Sequence, residues 1–552
     1  MISIVNFMKR NLWVLLCLVL AFTAACNRGG AIPDPDPATN VKFDFGVNMP
    51  EGATVRVLMT DGTEHDVVFD TANGTRGGIN AEKGEIIRSL QMEGGPVLMM
   101  GHVIGDNVIT VCLNAEGKIS TLPRGLDGAA KVNSIADFKF LNTAAGMNGS
   151  YKQTAHIDLM DQTWIPIGTI GDAFTGVYDG SGFEMRNINV SSIYDYQGLF
   201  AICQGGTIKN ITVASGTIAG GTCVAGICGY LEDGSVINCV NYATIVPSVM
   251  RGGGIVGMLG RDITGSVVED CVNYGNVRCP STGQSQFFGG IAGANPAGCT
   301  IRNCTNEGNV EGPLAVAGIV GDNIGTVTGC INKGEVWGKG WMNMFTSKSG
   351  GICGAHGNES NRTASLTDCV NMGHVKGFGN LGGIAGTSYA IVEACVNLGS
   401  MESTSNFNAG LIGLNYGSLY ASYSTGEIKG VNFTAGVVGI SYEGGVVEAC
   451  YSTSKINGSG TFPGLLAGRI VDPAGMKNCY YVPRDGIVGI GDDLGGENTV
   501  YEFGDPGVTA TAWPSSTIAK WGVGSDYAAG KYWKSLGSWS ASSPVYPTLN
   551  WE

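Results

Sequence analysis

Charge is scarce in this 552-residue chain. Only 14% of residues are charged, and 46 acidic against 32 basic side chains leave a formal net charge of −14. Nucleic acid and anionic membrane faces both need a basic surface, so that balance argues against either as a partner. The five histidines (His65, His102, His156, His356 and His374) are scattered, and none begins an H-E-x-x-H, which removes the usual zinc-peptidase arrangement. No paired C-x-x-C set occurs among the 17 cysteines and no histidine lies close to a cysteine pair, so neither metal nor cofactor is expected. Helical periodicity is also missing, and past the N-terminus no apolar run approaches the length of a membrane span.

At the N-terminus, Lys9 and Arg10 precede an apolar run from Leu12 to Ala25, which stops at Thr23-Ala24-Ala25-Cys26. The run is short for a span and reads as a signal peptide over residues 1–25. Small residues before a cysteine resemble the lipobox of bacterial lipoproteins, although Thr23 stands where Leu is usual, and Cys26 is the expected lipidation site. Loss of Lys9 and Arg10 with the signal takes the net charge from −14 to −16. Residues 26–40, with Pro33-Asp34-Pro35-Asp36-Pro37, are expected to form a flexible tether. The location this implies is the cell surface, with the lipid in the outer membrane as the membrane contact.

What the chain has in abundance is glycine, 89 residues of it, and the glycine is periodic. One phrase, small-Gly-apolar, recurs as Ala225-Gly226-Ile227, Gly253-Gly254-Ile255, Gly289-Gly290-Ile291 and onward to Pro463-Gly464-Leu465, with Gly198-Leu199-Phe200 as an opening copy. A second phrase alternates with it, as in Val268-Glu269-Asp270-Cys271-Val272-Asn273-Tyr274-Gly275, and recurs around Cys239, Cys304, Cys330, Cys369, Cys395, Cys450 and Cys479, with Ser422 standing in once. From Gly198 to Gly464 the steps are 28, 28, 36, 28, 33, 32, 27, 26 and 28 residues. A unit this short cannot bury its own apolar face and must stack on its neighbours. The expected fold is all-β: a right-handed parallel β-helix of about ten coils, three short strands to a coil.

This register places most cysteines at one inward position. Stacked Cβ atoms would sit about 4.8 Å apart, beyond the ~3.5–4.5 Å a disulfide wants, so free buried thiols are expected. Cys223/Cys228 and Cys299/Cys304 are the pairs most open to bridging. Asn241, Asn273, Asn306, Asn332, Asn371 and Asn397 recur at one position and predict a stacked amide ladder.

These phrases resemble the GLUG repeat of surface lipoproteins from Gram-negative gut and oral anaerobes, also found beside the protease domain of some immunoglobulin-A-cleaving metallopeptidases. The likeness runs from about Val132 to the C-terminus. It includes Trp164-Ile165-Pro166-Ile167-Gly168 and Phe174-Thr175-Gly176-Val177-Tyr178-Asp179-Gly180 at the start, and Ser543-Pro544-Val545-Tyr546-Pro547-Thr548-Leu549-Asn550-Trp551 at the end. The resemblance implies a β-helix with an adhesin role. The peptidase link does not carry over, because the zinc motif is absent.

Alternating runs between residues 41 and 130, such as Thr54-Val55-Arg56-Val57-Leu58-Met59, predict a small β-sandwich. The β-helix is expected over 131–485, opened by a capping box at Ser134-Ile135-Ala136-Asp137. Residues 486–552, with Trp513, Trp521, Trp533, Trp539 and Trp551, are expected to fold back as a cap.

Right-handed β-helices include polysaccharide lyases and hydrolases, whose chemistry needs clustered carboxylates. Glu269, Glu393 and Glu448 share one repeat position, but Arg302 and Thr367 interrupt the set; Asp270 and Asp368 fall at a bend. No catalytic residue is assigned, and a carbohydrate-active β-helix enzyme stands as the alternative. The enlarged repeats offer more: extra residues at one corner carry Tyr194, Tyr196, Met250, Arg251, Phe287, Trp337, Trp341 and Phe345, and side-by-side insertions would form one lateral surface. The expected function is a non-catalytic adhesin or binding scaffold for a host or bacterial surface glycan or protein. Asp70-Thr71-Ala72 also fits a short O-glycosylation triplet, with Thr71 as acceptor.

Overall fold

The computed structural model describes residues 39–45, 49–69, 76–105, 108–113, 118–120, 129–260, 265–281, 283–340, 347–484, 486–503, 521, 532–538 and 543–552. Alternation in the N-terminal region resolves into two sheets facing each other. One runs Glu64–Val68, Thr54–Met59, Ile86–Met92, Val97–Val103, all antiparallel. The other runs Arg76–Ala81, Thr39–Phe45, Ile109–Leu113, Ile119–Ser120. Val41, Phe43, Val55, Val57, Ile87 and Leu90 fill the space between. This sandwich is joined to the first coil beyond it: His102 pairs with Ile157 across an antiparallel bridge, and the Val103 amide donates to the His156 carbonyl at 3.1 Å.

From Ala130 the chain winds into a parallel β-solenoid of about a dozen turns, against the ten expected. Its clearest face is a 13-stranded parallel sheet, from Ala130–Val132 to Met476–Lys477, to which each turn contributes one strand. The first end is closed by the helix Ile135–Phe140. Ser134 caps it, accepting from the Asp137 amide at 3.0 Å, while the Asp137 carboxylate accepts from the Asn133 amide at 3.0 Å. Phe138 enters the coil and meets Trp164, Tyr178 and Phe200 at ring separations of 5.2, 5.0 and 5.9 Å, sealing the apolar interior.

The two repeated phrases interlock inside the coil. Asn241 donates to Asn273, Asn273 to Asn306, Asn306 to Asn332, Asn332 to Asn371 and Asn371 to Asn397, all at 2.8–2.9 Å. The second amide hydrogen of each goes to a carbonyl two residues on, those of Ala243, Gly275, Gly308, Gly334, Gly373 and Gly399. Every amide donor in this fully buried column is therefore used. The glycines of the first phrase make room for it: a Cβ on Gly254, Gly290, Gly318 or Gly351 would strike the carboxamide carbon of Asn273, Asn306, Asn332 or Asn371.

The cysteine column is equally regular. All fourteen described cysteines with placed side chains are free and buried. Cys239, Cys271, Cys304 and Cys330 each point the thiol at a carbonyl two residues back, at 3.1–3.4 Å. Burial pushes the Cys239, Cys304 and Cys369 thiols up, and that of Cys203 to about 12, so these stay protonated and behave as small apolar groups. Where Ser422 replaces cysteine, its hydroxyl donates to the Tyr420 carbonyl at 2.8 Å and keeps the arrangement. Neither exceptional pair is bridged. Cys228 packs in the main core while Cys223 lies in a separate outer cluster with Met258, on the other side of the sheet. Cys299 and Cys304 share the core but direct their thiols to different carbonyls, those of Leu259 and Arg302.

One expectation needs correcting. Gly464 pairs with Ala435 and Ala467 with Val438, so Leu465, not Gly464, occupies the repeat glycine position in the last copy. The terminal aromatics lie along the side of the last coils: Trp521 donates to the Asn478 carbonyl at 2.9 Å, Trp551 to that of Ala394 at 3.0 Å, and Tyr451 to that of Pro547 at 2.9 Å. There they cover an outward row of Val396, Tyr423, Tyr451 and Tyr480, each large enough to need a partner. Trp513 and Trp539 lie outside the described residues.

Asn332→Ala orphans an Asn306 donor and an Asn371 acceptor, and is expected to cost about 2–4 kcal/mol in thermal or denaturant unfolding; Gly318→Ala should do comparable damage from the other side of the same contact. Burial holds two imidazoles neutral, with His102 and His356 both pushed down to about 4. Their stabilisation is complete above the ordinary value near 6.5 and is lost as pH falls toward 4. His356 accepts from Asn323 Nδ2 at 3.0 Å and donates through Nε2 to the Ile391 carbonyl at 2.9 Å. Asn295, in register with Asn323, donates to it at 2.7 Å, so His356→Asn is expected to extend this second, separate amide row and flatten the fall in melting temperature between pH 6.5 and 4; an unchanged pH profile would contradict this.

Candidate binding cleft

A concavity of about 600 Å³ opens on the first two coils between the loop around residues 163–171 and the insertion 191–197. Alternation builds the first wall: Trp164 and Ile167 turn inward and are buried, which forces Ile165 outward. Trp164 is fixed by its indole N–H, which donates to the Leu199 carbonyl at 3.1 Å. Gly168 then turns the chain at φ +91°, where a side chain would meet the Ile202 carbonyl, and Ile170 stands at the tip. Asn142, just past the capping helix, braces the turn by accepting from the Gly168 amide at 3.0 Å.

The second wall is tied to the next coil. Tyr196 donates its amide to Thr222 at 2.7 Å, Gly221 donates to Tyr194 at 2.8 Å, and the Asp195 carboxylate accepts from the Thr222 amide at 2.7 Å. Tyr196 takes a left-handed φ of 58° and its ring packs on Tyr230 at 5.8 Å, so Tyr194 is pushed to the surface. The result is unusual in exposure. Ile193, Ile170, Tyr194 and Ile165 are 85%, 80%, 75% and 71% exposed, and no other described large apolar side chain exceeds 61%.

Of the insertion residues singled out in the sequence, Tyr194 and Tyr196 line this cleft. Arg251 and Phe287 follow Tyr196 down the same corner, both left-handed at φ 58° and 72°, with the guanidinium 5.9 Å from the Phe287 ring. Met250 is half-buried and in register with Gln286. Trp337 is elsewhere: it lies within the strand Val336–Gly338, between Lys376 and Lys339 at 5.0 and 5.3 Å from its ring, beside a dimple of about 160 Å³. Trp337 thus stands apart from the cleft, in a regular outward strand row roughly 24 Å along the rod at ~4.8 Å per coil. Trp341, Phe345, Cys26 and Thr71 lie outside the described residues. Ile165 and Ile170 were missed; the available signal was isoleucine beside turn residues, out of phase with the buried Trp164 and Ile167.

The carboxylates that an enzyme would need are spread out. Glu269 is held by Arg302 at 2.7 Å and thereby kept below the usual carboxylate range. Glu393 accepts from Tyr532 at 3.2 Å, and Tyr420 separates it from Glu448 in the outward row. Among the described residues no group of three His, Cys, Asp or Glu could hold a metal ion, and no helix is long and apolar enough to cross a membrane.

No protein-family model and no curated protein matches the sequence. Among solved structures, a Bacteroides ovatus protein provisionally named an immunoglobulin A1 protease is similar over 78% of this chain and 94% of its own, at 16% identity and a TM-score of 0.32. So loose a likeness decides nothing about activity.

Because Ile170 and Tyr194 bury almost nothing, alanine at both is expected to change unfolding free energy by less than about 0.5 kcal/mol each. A large loss of melting temperature would mean that they hold the fold instead of facing a ligand.

Proposed function

We propose that this protein is a non-catalytic binding scaffold, carried at the bacterial surface on a lipid at Cys26, that engages a glycan or protein of a host or neighbouring cell. The observation that carries this reading is the cleft, which is lined by Ile165, Ile170 and Tyr194, three of the four most exposed large apolar side chains among the described residues, on a frame of fixed backbone. Exposed apolar groups gathered at one place mark interaction sites far more often than scattered ones. The lipobox-like Thr23-Ala24-Ala25-Cys26 and the resemblance to GLUG-repeat lipoproteins support the location, and the separated carboxylates weigh against a polysaccharide lyase or hydrolase.

The test uses the mature protein on glycan and extracellular-matrix protein arrays, with an Ile170→Ala/Tyr194→Ala variant and a Trp337→Ala variant alongside, and the bound material checked for cleavage. Saturable binding that the double variant loses, without cleavage products, is the expected result. Cleaved glycan, or undiminished binding by the double variant, would overturn the proposal.

A further inference from the structure

We propose that the cleft takes a polypeptide segment with one apolar anchor side chain flanked by basic residues; this deepens the binding reading above and rests on it. Three kinds of occupant could cover exposed isoleucine and tyrosine: a sugar, a bilayer or a protein. A sugar needs polar side-chain atoms free to meet its hydroxyls. Half of the polar side chains lining the cleft, Thr169, Ser192, Asp195 and Gln197, are already engaged within the loops, which leaves few for a sugar. Asp195 accepts from Thr222, Ser192 accepts from the Tyr194 amide at 3.0 Å, Thr169 accepts from the Asp172 amide at 3.2 Å, and Gln197 donates to the Asp195 carbonyl at 2.7 Å.

A bilayer would accept the isoleucines, but it would take the surrounding charges with them. Asp161, Asp172 and Asp195 stand in these two loops, and residues 160–174 and 191–197 contain no Lys or Arg at all. Surfaces that dip into headgroups carry the opposite pattern, basic residues around an apolar tip. The same carboxylates suit a polypeptide: its apolar side chain enters the cleft of about 600 Å³ while its Lys or Arg residues meet the acidic rim. Both walls are hydrogen-bonded to adjacent coils, so little order is lost on binding.

The probes are nonapeptides with a central Leu, Phe or Trp, flanked by Lys or by Glu, titrated against the mature protein by fluorescence anisotropy. Phosphatidylcholine vesicles and a glycan array serve as parallel arms. Lys-flanked peptides should bind at least ~10-fold tighter than Glu-flanked ones at low salt, and lose most of that advantage at about 0.5 M salt. The Ile170→Ala/Tyr194→Ala variant should bind them at least ~10-fold more weakly, and Asp172→Lys should bind them several-fold more weakly, with unfolding temperatures unchanged. Equal or better binding of Glu-flanked peptides overturns the inference. Glycan binding through Ile170 and Tyr194, with no peptide binding, also overturns it while leaving the broader scaffold reading in place, whereas binding to vesicles alone overturns both. No binding in any arm removes both.

Discussion

A column of buried carboxamides governs the shape of this molecule. From Asn241 to Asn397 each side chain donates once up the rod and once to its own turn, and the glycine of the preceding phrase is the only residue that leaves it space. The two repeated phrases are thus halves of one contact. An unpaired amide in such an interior would cost a few kcal/mol, so the column fixes the register of every coil it crosses. Strand pairing, the thiol column and the outward rows all inherit that register.

Fixed register makes corners usable. Where coils are enlarged, the added residues cannot alter the core, so they are extruded and then tied to the neighbouring turn by backbone hydrogen bonds. At the first two coils this produces a cleft whose walls are positioned by Asn142, Asp195 and Thr222. Further along, the same corner is filled by its own side chains, as with Arg251 over Phe287 and, later, the stacked Phe407, Phe433 and Phe462. The contrast between the open first corner and the closed later ones gives the cleft its distinction.

Most of the architecture was legible in the sequence because it is repeated: glycine spacing, the Cys and Asn columns and the capping box at Ser134 each follow from a local rule. The misjudged copy at Gly464 shows the limit, since a single-residue slip leaves the pattern looking intact while strand pairing moves to Ala435. The candidate site was half legible. Tyr194 and Tyr196 stood out as aromatics in an insertion, yet the isoleucines around them resemble core residues in any one-dimensional reading. Trp337 was misplaced for the opposite reason, because an aromatic in a long repeat looks like a loop residue until strand register puts it between Glu311 and Lys376. Which side of a corner a residue faces is decided by contacts about 28 positions away, and no local signal carries that.

Whether the rod presents a preformed cleft is read directly by native-state hydrogen exchange. The amides of Gly168, Tyr196, Gly221 and Thr222 donate to acceptors in the structure. In a preformed cleft they exchange as slowly as the amides of the neighbouring coil strands, Val190 and Ile202, and that is the expected result. Exchange of those four within seconds, while the strands stay protected, would show two mobile loops in place of a built site and would refute the preformed cleft.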